Sequence, residues 1–265
     1  MSLPSLTTIE VAGKKIGVRS AGSGDVLVLL HGLAGNSRSW VRQFEHFSRS
    51  RRVIAWDAPG YGGSDDFDPD VDVFTDALKD VLQQLGVGKF VLLGHSMGGM
   101  LAGRYACRFS EQLKGLILSC THVGSGNPKG SELPAGYQSR VNDLNTMSQK
   151  DYGISRAKAM LAADTAQDIF EMAADISGET RPSGLANAAR VINETNNAPG
   201  LPSLSLPTLV ITGEVDPVVA PEKAEQLYSL ISHCEKAVIP GAGHAPYLEK
   251  PDTYNHTLAS FISNL

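Results

Sequence analysis

The 265-residue chain contains a serine whose sequence context is typical of a nucleophile. Ser96 is the central residue of a Gly-x-Ser-x-Gly string at positions 94–98, between the apolar run Phe90–Leu93 and a helical stretch. At a strand-to-helix junction this string forms a turn so tight that small residues must flank the serine, whose hydroxyl is lifted clear of the backbone. We therefore predict that Ser96 is a nucleophile that attacks an electrophilic carbon.

A serine hydroxyl needs a base to remove its proton, and His244 is the best placed of the seven histidines. It lies in a loop of Gly, Ala and Pro that directly follows the predicted strand Lys236–Ile239. From there it can reach the sheet edge at which Ser96 is expected. The base in turn needs a partner that fixes its tautomer, so we expect a carboxylate at the same edge.

The elements that must position these residues alternate between buried strands and helices. The predicted strands are Leu6–Val11, Lys14–Arg19, Val26–Leu30, Val53–Trp56, Phe90–Leu93, Leu116–Ser119, Thr208–Thr212 and Lys236–Ile239. The predicted helices are Asp70–Leu85, Met97–Phe109, Glu222–Ile231 and Thr253–Ile262. The first two strands indicate an antiparallel hairpin, and the later alternation predicts an α/β fold with a largely parallel sheet and right-handed crossovers.

The alternation stops once, in a stretch without a strong strand signal. Residues 122–201 contain Gly-, Pro- and Ser-rich turns and helical segments such as Ser155–Ala163 and Thr165–Asp175. We interpret this stretch as a helical cap inserted after the sixth strand. In open α/β sheets ligands bind at the carboxyl ends of the strands, and we expect the cap to cover that edge.

Four motifs, taken in chain order, resemble the α/β-hydrolase fold family. They are the His-Gly-Leu string at 31–33, the Asp-x-x-Gly-x-Gly-x-Ser string at 57–64, the serine turn at 94–98 and the Gly-His pair at 243–244. The resemblance implies a mostly parallel eight-stranded sheet flanked by helices. It also implies a core of residues 1–121 and 202–265, with residues 122–201 as the inserted cap.

The same resemblance implies roles for individual residues. Asp216, after the seventh predicted strand, matches the position of the family's acid and would orient His244, with Glu214 as the fallback. The backbone N–H groups of Leu33 and Met97 would stabilise the oxyanion. No metal or organic cofactor is expected.

The residue type at the nucleophile position distinguishes branches of this family. Dehalogenases and epoxide hydrolases of this fold carry an aspartate where this chain has Ser96. The string from Gly94 to Met100 is similar to that of 3-oxoadipate enol-lactonases and related small carboxylesterases. The resemblance predicts a serine hydrolase that cleaves a carboxylic ester or lactone of a small to medium acyl substrate through an acyl-enzyme on Ser96.

Other activities on the same fold stay open at this stage. A carbon–carbon bond hydrolase acting on a vinylogous diketone would use the same three residues. His95 and the string Leu33-Ala34-Gly35 weaken that alternative, because such enzymes tend to carry asparagine and Gly-Pro-Gly there. A cofactor-free lyase and a ligand receptor that hydrolyses slowly or not at all are further alternatives, since fold does not fix function.

Substrate choice is expected to depend on the cap and the loops beside it. The candidate pocket-lining residues are His95, His122, Met147, Tyr152, Met160 and Phe170. Arg140, Arg156, Arg181 and Arg190 could meet a substrate carboxylate, but each is expected to be a solvated surface charge.

Composition excludes several other classes of protein. The formal net charge of −5 would repel phosphate backbones, so no nucleic-acid partner is expected. The three cysteines are odd in number and widely spaced, which argues against a disulfide framework or a zinc site and for a reducing compartment. No basic, apolar leader and no run of roughly 18 to 20 apolar residues is seen. We expect a cytoplasmic protein whose partner is a small ester or lactone; a monomer and a homodimer are both consistent with the sequence.

Overall fold

The computed structural model describes residues 3–265, which form one eight-stranded sheet with helices on both faces. The strands are β1 (Thr7–Val11), β2 (Lys14–Ala21), β3 (Val26–Leu30), β4 (Arg52–Trp56), β5 (Phe90–His95), β6 (Leu113–Ser119), β7 (Thr208–Gly213) and β8 (Cys234–Ile239). The helices are α1 (Val41–Phe47), α2 (Val71–Gln84), α3 (Met97–Phe109), α4 (Ala135–Thr146), α5 (Gln149–Met160), α6 (Gln167–Gly178), α7 (Pro182–Glu194), α8 (Pro221–Leu230), α9 (Pro246–Glu249) and α10 (Pro251–Ser263).

The sheet has the strand order β1-β2-β4-β3-β5-β6-β7-β8. β1 and β2 pair in antiparallel fashion, and β2 is antiparallel to β4, whereas all pairs from β4 to β8 are parallel. The predicted fold class is therefore confirmed, including the opening hairpin and the helical insertion after β6.

The central strands are continuous apolar runs because both faces of the sheet are covered. Phe90 and Leu92 of β5 pack in the cluster that includes residues of α2 and α3, whereas Val91 and Leu93 pack in the cluster that includes residues of α1 and α10. Trp56 belongs to the first cluster and Trp40 to the second, and both are buried. Alternate side chains of one strand thus support two helical layers.

Strand order brings two loops together at the carboxyl edge of the sheet. β3 and β5 are neighbours, and the chain leaves β3 toward β4 on one side and leaves β5 toward β6 on the other. Loops diverge at such a switch point and leave a crevice between them. Here the loop after β3, with Gly32 and Leu33, lies beside the turn after β5 that contains Ser96.

The segment between β6 and β7 is helical, but its helices differ from those predicted. Residues 122–201, all of which the structure describes, form α4, α5, α6 and α7. α5 ends at Met160 rather than at Ala163, because the chain beyond it bonds elsewhere: the carbonyl of Met160 accepts from the N–H of His244, and the N–H of Ala162 donates to Glu249. These long-range hydrogen bonds could not be inferred from local sequence.

The helices of residues 3–265 include no candidate for a membrane-spanning segment. None of them combines the length and the apolar character that a bilayer crossing needs.

α3 approaches the sheet closely because two glycines lie at the contact. A Cβ on Gly94 would overlap the carbonyl of Gly98, and a Cβ on Gly98 would overlap the carbonyl of Leu30. The obstacles are backbone atoms, which cannot turn aside as a side chain can. The Gly residues that flank the serine are thus required for packing of α3 on β5 and β3.

We predict that Gly94→Ala lowers the free energy of unfolding by about 3 kcal/mol, because overpacking against backbone forces the helix and strand apart. Gly88→Ala is the matched control, since a Cβ there meets nothing within 4 Å, and it should change stability by less than about 0.5 kcal/mol. Urea unfolding of both variants measures the difference. Equal stability of the two variants would contradict this prediction, because it would show that a Cβ at position 94 fits without displacing the backbone of Gly98.

Candidate active site

Ser96 occupies a strained turn between β5 and α3. Its φ of 54° and ψ of −116° are unusual for a residue with a side chain, and such conformations cost of order 1–3 kcal/mol. Hydrogen bonds on both sides hold the turn: its N–H donates to the carbonyl of Ser119, and its own carbonyl accepts from the Thr121 hydroxyl at 2.6 Å. The surrounding structure therefore imposes the conformation that presents the Ser96 hydroxyl.

Ser96, His244 and Asp216 form a continuous hydrogen-bonded chain. The distance from Ser96 Oγ to His244 Nε2 is 3.0 Å, and His244 Nδ1 lies 2.9 and 3.0 Å from the two carboxylate oxygens of Asp216. The His244 and Asp216 side chains are only 6% and 5% exposed. Since the carboxylate can only accept, Nδ1 carries the proton and Nε2 is free to accept from the serine hydroxyl.

Asp216 is held in its ionised form despite its burial. Burial raises the pKa of its carboxyl. The hydrogen bond and electrostatic interaction with His244, together with the N–H groups of Val218 and Val219, lower the pKa by more than burial raises it, so the net shift is downward. Glu214, the fallback acid, is exposed and accepts from the N–H of Gly241 instead. The structure thus brings Asp216, and not Glu214, to His244.

The loop after β3 supplies the second wall around Ser96. A Cβ on Gly32 would lie 3.0 Å from Cβ of Ser96, so the backbone of this loop borders the serine directly. Leu33 follows Gly32, and its N–H donates no hydrogen bond within residues 3–265. Met97 is the first residue of α3, where a backbone N–H has no acceptor in the helix. Both N–H groups are therefore available to an anion beside Ser96.

Two buried residues, His31 and Asp57, hold this loop and the turn beside it by hydrogen bonds. His31 Nδ1 donates to the carbonyl of Gly32 at 2.8 Å, and its Nε2 accepts from the N–H of Ala58 at 2.9 Å. Asp57 accepts from the N–H groups of Ser37 and Gly63, so it organises the neighbouring turn rather than the serine. The sequence motifs at 31–33 and 57–64 thus support the loop by hydrogen bonds.

Glu249 ties the His244 loop to the helical insertion. Its carboxylate accepts from the N–H groups of Gly243 and Ala245, which flank His244, and from Ala162 and Thr165, which follow α5. The distances run from 2.8 to 3.0 Å. The position of His244 therefore depends on the helical insertion as well as on the sheet.

A cavity of about 200 Å³ opens at Ser96 and His244. Of the predicted pocket residues, His122, Tyr152 and Met160 line it. Side chains from α4, α5, α7, α8 and the preceding loops complete its walls, including Tyr137 and Ile192. The cavity is thus enclosed by the helical insertion on one side and by the sheet edge on the other.

Three predicted pocket residues lie outside this cavity. Met147 follows α4 and is 39% exposed, and Phe170 lines a separate surface groove between α5 and α6. His95 borders a smaller adjoining cavity of about 20 Å³. Apolar spacing in the helical insertion does not reveal which helix face turns to the cavity, so Met147 and Phe170 were indistinguishable from Met160.

Other lining residues were not expected from sequence. Arg140 and Arg156, expected at the solvated surface, line the cavity, as do Tyr137 and Lys223. Tyr137 and Arg140 lie on α4, a helix missed in the sequence; Pro134 just before it was the available signal for a helix start.

Comparison with known proteins agrees with the fold described above. A model of the family described as alpha/beta hydrolase fold matches residues 25–251. The chain belongs to the α/β-hydrolase fold family. It is 26% identical to the pimeloyl-[acyl-carrier protein] methyl ester esterase of Shewanella woodyi, over 93% of this chain and 97% of that protein.

Two solved structures superpose closely on this one. A thermophilic esterase from Thermogutta terrifontis, determined with malate bound, has a TM-score of 0.86 and 26% identity, covering 100% of this chain and 99% of that one. The enol-lactonase from Burkholderia xenovorans also has a TM-score of 0.86, at 21% identity, covering 97% and 100%. At that identity the enol-lactonase supports the fold alone.

His95 packs beneath His244 and is buried as a neutral ring. Its Nε2 donates to the carbonyl of His244 at 2.7 Å, and its Nδ1 is buried without a hydrogen-bond partner. With Cys120 and His244 it forms a group of potential metal-ligand atoms within 4.8 Å of one another. Both ring nitrogens of His244 already bond to Asp216 and Ser96, so a metal there would have to break that chain.

The buried His95 ring should make stability depend on pH. Burial is the main reason that the pKa of His95 falls from its ordinary 6.5 to about 3. The unfolded chain therefore binds the proton first as the pH falls. Stability from this residue is complete above pH 6.5 and is lost progressively down to about pH 3.

We predict that lowering the pH from 7 to 5 costs about 2 kcal/mol of unfolding free energy through His95. His95→Gln should reduce the pH dependence of urea unfolding by that amount, whereas His256→Gln, which alters an exposed histidine, should leave it unchanged. An unaltered pH dependence in His95→Gln would contradict this account of the buried ring.

Proposed function

We propose that this protein is a serine hydrolase that cleaves a carboxylic ester or lactone of a small to medium acyl substrate. The observation that carries the proposal is the hydrogen-bonded chain from Asp216 through His244 to Ser96, which opens into the cavity. This is the arrangement that activates a serine for acyl transfer.

The first half of the proposed reaction forms an acyl-enzyme. Ser96 Oγ attacks the carbonyl carbon of the ester while its proton moves to His244 Nε2. Asp216 stabilises the imidazolium that results, and the N–H groups of Leu33 and Met97 donate to the oxyanion. Collapse of the tetrahedral intermediate breaks the bond to the alcohol oxygen, which takes the proton from His244 as it leaves.

The second half releases the acid. A water molecule gives its proton to His244 and attacks the acyl carbon. The new tetrahedral intermediate expels Ser96 Oγ, which recovers the proton. Preorganised oxyanion donors contribute roughly 3 to 4 kcal/mol each to such a barrier, and here both come from backbone that other hydrogen bonds hold in place.

The relatives support ester chemistry. The Shewanella protein is named a methyl ester esterase and the Thermogutta protein an esterase, and both match this chain over almost its whole length. The cavity of about 200 Å³ suits a small to medium substrate rather than a long acyl chain. Its apolar contributors, such as Met100, Ile192 and Val219, would contact the hydrocarbon part.

The test is hydrolysis of p-nitrophenyl esters across acyl lengths, with a fluorophosphonate probe to label the activated serine. We predict turnover with short and medium chains and labelling on Ser96. In Ser96→Ala both should fall by at least ~10³-fold, the scale on which loss of the nucleophile acts.

The control is Ser125→Ala, which removes the hydroxyl of an exposed residue that does not line the cavity. It should leave both ester turnover and labelling intact. Labelling of Ser96 without ester turnover would contradict the proposed substrate class and direct attention to carbon–carbon cleavage. Absence of labelling in a folded protein would contradict the activated serine itself.

A further inference from the structure

The cavity at Ser96 carries a concentration of positive charge. Arg140 from α4, Arg156 from α5 and Lys223 from α8 line it together with Ser96 and His244. Among the described residues that line it there is no aspartate or glutamate. The chain as a whole has a net charge of −5, so this wall is opposite in sign to the protein around it.

The two arginines are not neutralised by the protein. Elsewhere Arg38, Arg104 and Arg190 each pair with a carboxylate. Within residues 3–265, no carboxylate oxygen lies within 4.0 Å of the guanidinium of Arg140 or Arg156. Instead the guanidinium groups stack near aromatic rings, Arg140 at 5.7 Å from Tyr137 and Arg156 at 5.9 Å from Tyr152.

Arg156 is held there at an electrostatic cost. Burial lowers the pKa of its guanidinium, and the like charge of Arg140 lowers it further, while Asp143 and Tyr152 offset this only in part. Its Nε is buried without a hydrogen-bond partner. An arginine stays protonated at neutral pH, so the site holds unpaired positive charge when no ligand is present.

A second orphaned polar group lies in the same wall. Tyr152 is 1% exposed, and its hydroxyl is buried without a hydrogen-bond partner. Buried polar groups are almost always hydrogen-bonded, so an unpaired one in a residue that lines a cavity favours a ligand with a complementary group. The group that would satisfy Arg156 and Tyr152 together is an acceptor with negative charge.

We propose that the substrate carries, besides the ester that Ser96 attacks, a carboxylate that binds at Arg140 and Arg156. This inference rests on the proposed function and names the substrate class. Carboxylates match the planar fork of a guanidinium and form two parallel charge-assisted hydrogen bonds with it. The arginines belong to the helical insertion, whereas Ser96 belongs to the sheet, so the substrate spans from one to the other.

The test compares matched esters that differ in the anionic group. For an anion on the acyl side we would use monomethyl adipate against methyl hexanoate, and for one on the alcohol side 4-acetoxybutanoate against butyl acetate. We predict that one of the two anionic esters exceeds its neutral partner in kcat/KM by about 10- to 100-fold, the range that one charged hydrogen bond supplies. The ester pair that shows this difference identifies whether the carboxylate lies on the acyl or the alcohol side of the substrate.

Variants of the two arginines test whether the preference for the anionic ester arises in the cavity. Arg156→Leu and Arg140→Leu should each reduce the ratio of anionic to neutral kcat/KM by about 10-fold or more, mainly through KM, and Arg156→Lys should restore part of it. Lys158→Leu is the matched control: it removes one positive charge from an exposed position on α5 and should leave the ratio unchanged.

Two outcomes would overturn the carboxylate site. One is equal kcat/KM for anionic and neutral esters in the wild-type protein. The other is a fall of both substrates alike in the arginine variants, which would indicate a structural role.

A binding measurement separates this inference from the proposed function. By calorimetry, hexanoate should bind the wild-type protein and hexanamide should not, and Arg156→Leu should lose hexanoate binding. If no ester is hydrolysed and Ser96 is not labelled, the proposed function fails, and hexanoate binding still decides the anion site.

Discussion

The hydrogen bonds of His244 to Ser96 and Asp216 join three separate parts of the sheet, because the three residues follow β5, β7 and β8. A histidine that bridges two partners at 2.9 to 3.0 Å tolerates little displacement of any strand end. The sheet order, the tight turn at Ser96 and the loop held by Glu249 all serve this one alignment. Glu249 also accepts a hydrogen bond from the chain after α5. The same carboxylate therefore links the helical insertion that encloses the cavity to the loop that positions the base.

The site combines a strained backbone at Ser96 with hydrogen bonds that hold it, and it leaves polar groups of two cavity-lining residues without partners. The positive φ of Ser96 is held by Ser119 and Thr121, and the loop at Leu33 is held by His31. In contrast, the Nε of Arg156 and the hydroxyl of Tyr152, which belong to residues that line the cavity, are buried without hydrogen-bond partners. Rigidly held reacting groups stabilise a transition state, and unpaired polar groups favour a ligand that pairs with them.

Much of the fold was accessible from sequence, because buried parallel strands read as apolar runs and the motifs at 31–33, 57–64 and 243–244 follow predicted strands. The strand ends also predicted that Ser96 and His244 would meet. The helical insertion was less accessible: α4 and α7 were missed, and α5 was extended past Met160. Its helix ends and the choice of Met160 over Phe170 depend on long-range contacts with the His244 loop, which local patterns do not encode.

We propose that Asp216 orients His244, which makes Ser96 a nucleophile. The most direct measurement is the rate at which a fluorophosphonate labels Ser96 in Asp216→Asn, compared with Glu214→Gln in the same loop. An amide donates to Nδ1 and favours the wrong tautomer, so labelling should slow by about 10³- to 10⁴-fold, while Glu214→Gln stays within about threefold of the wild-type protein. Labelling of Asp216→Asn at a rate within about tenfold of wild type would show that the carboxylate is dispensable for activating the serine, and Asp216 would not have the proposed role.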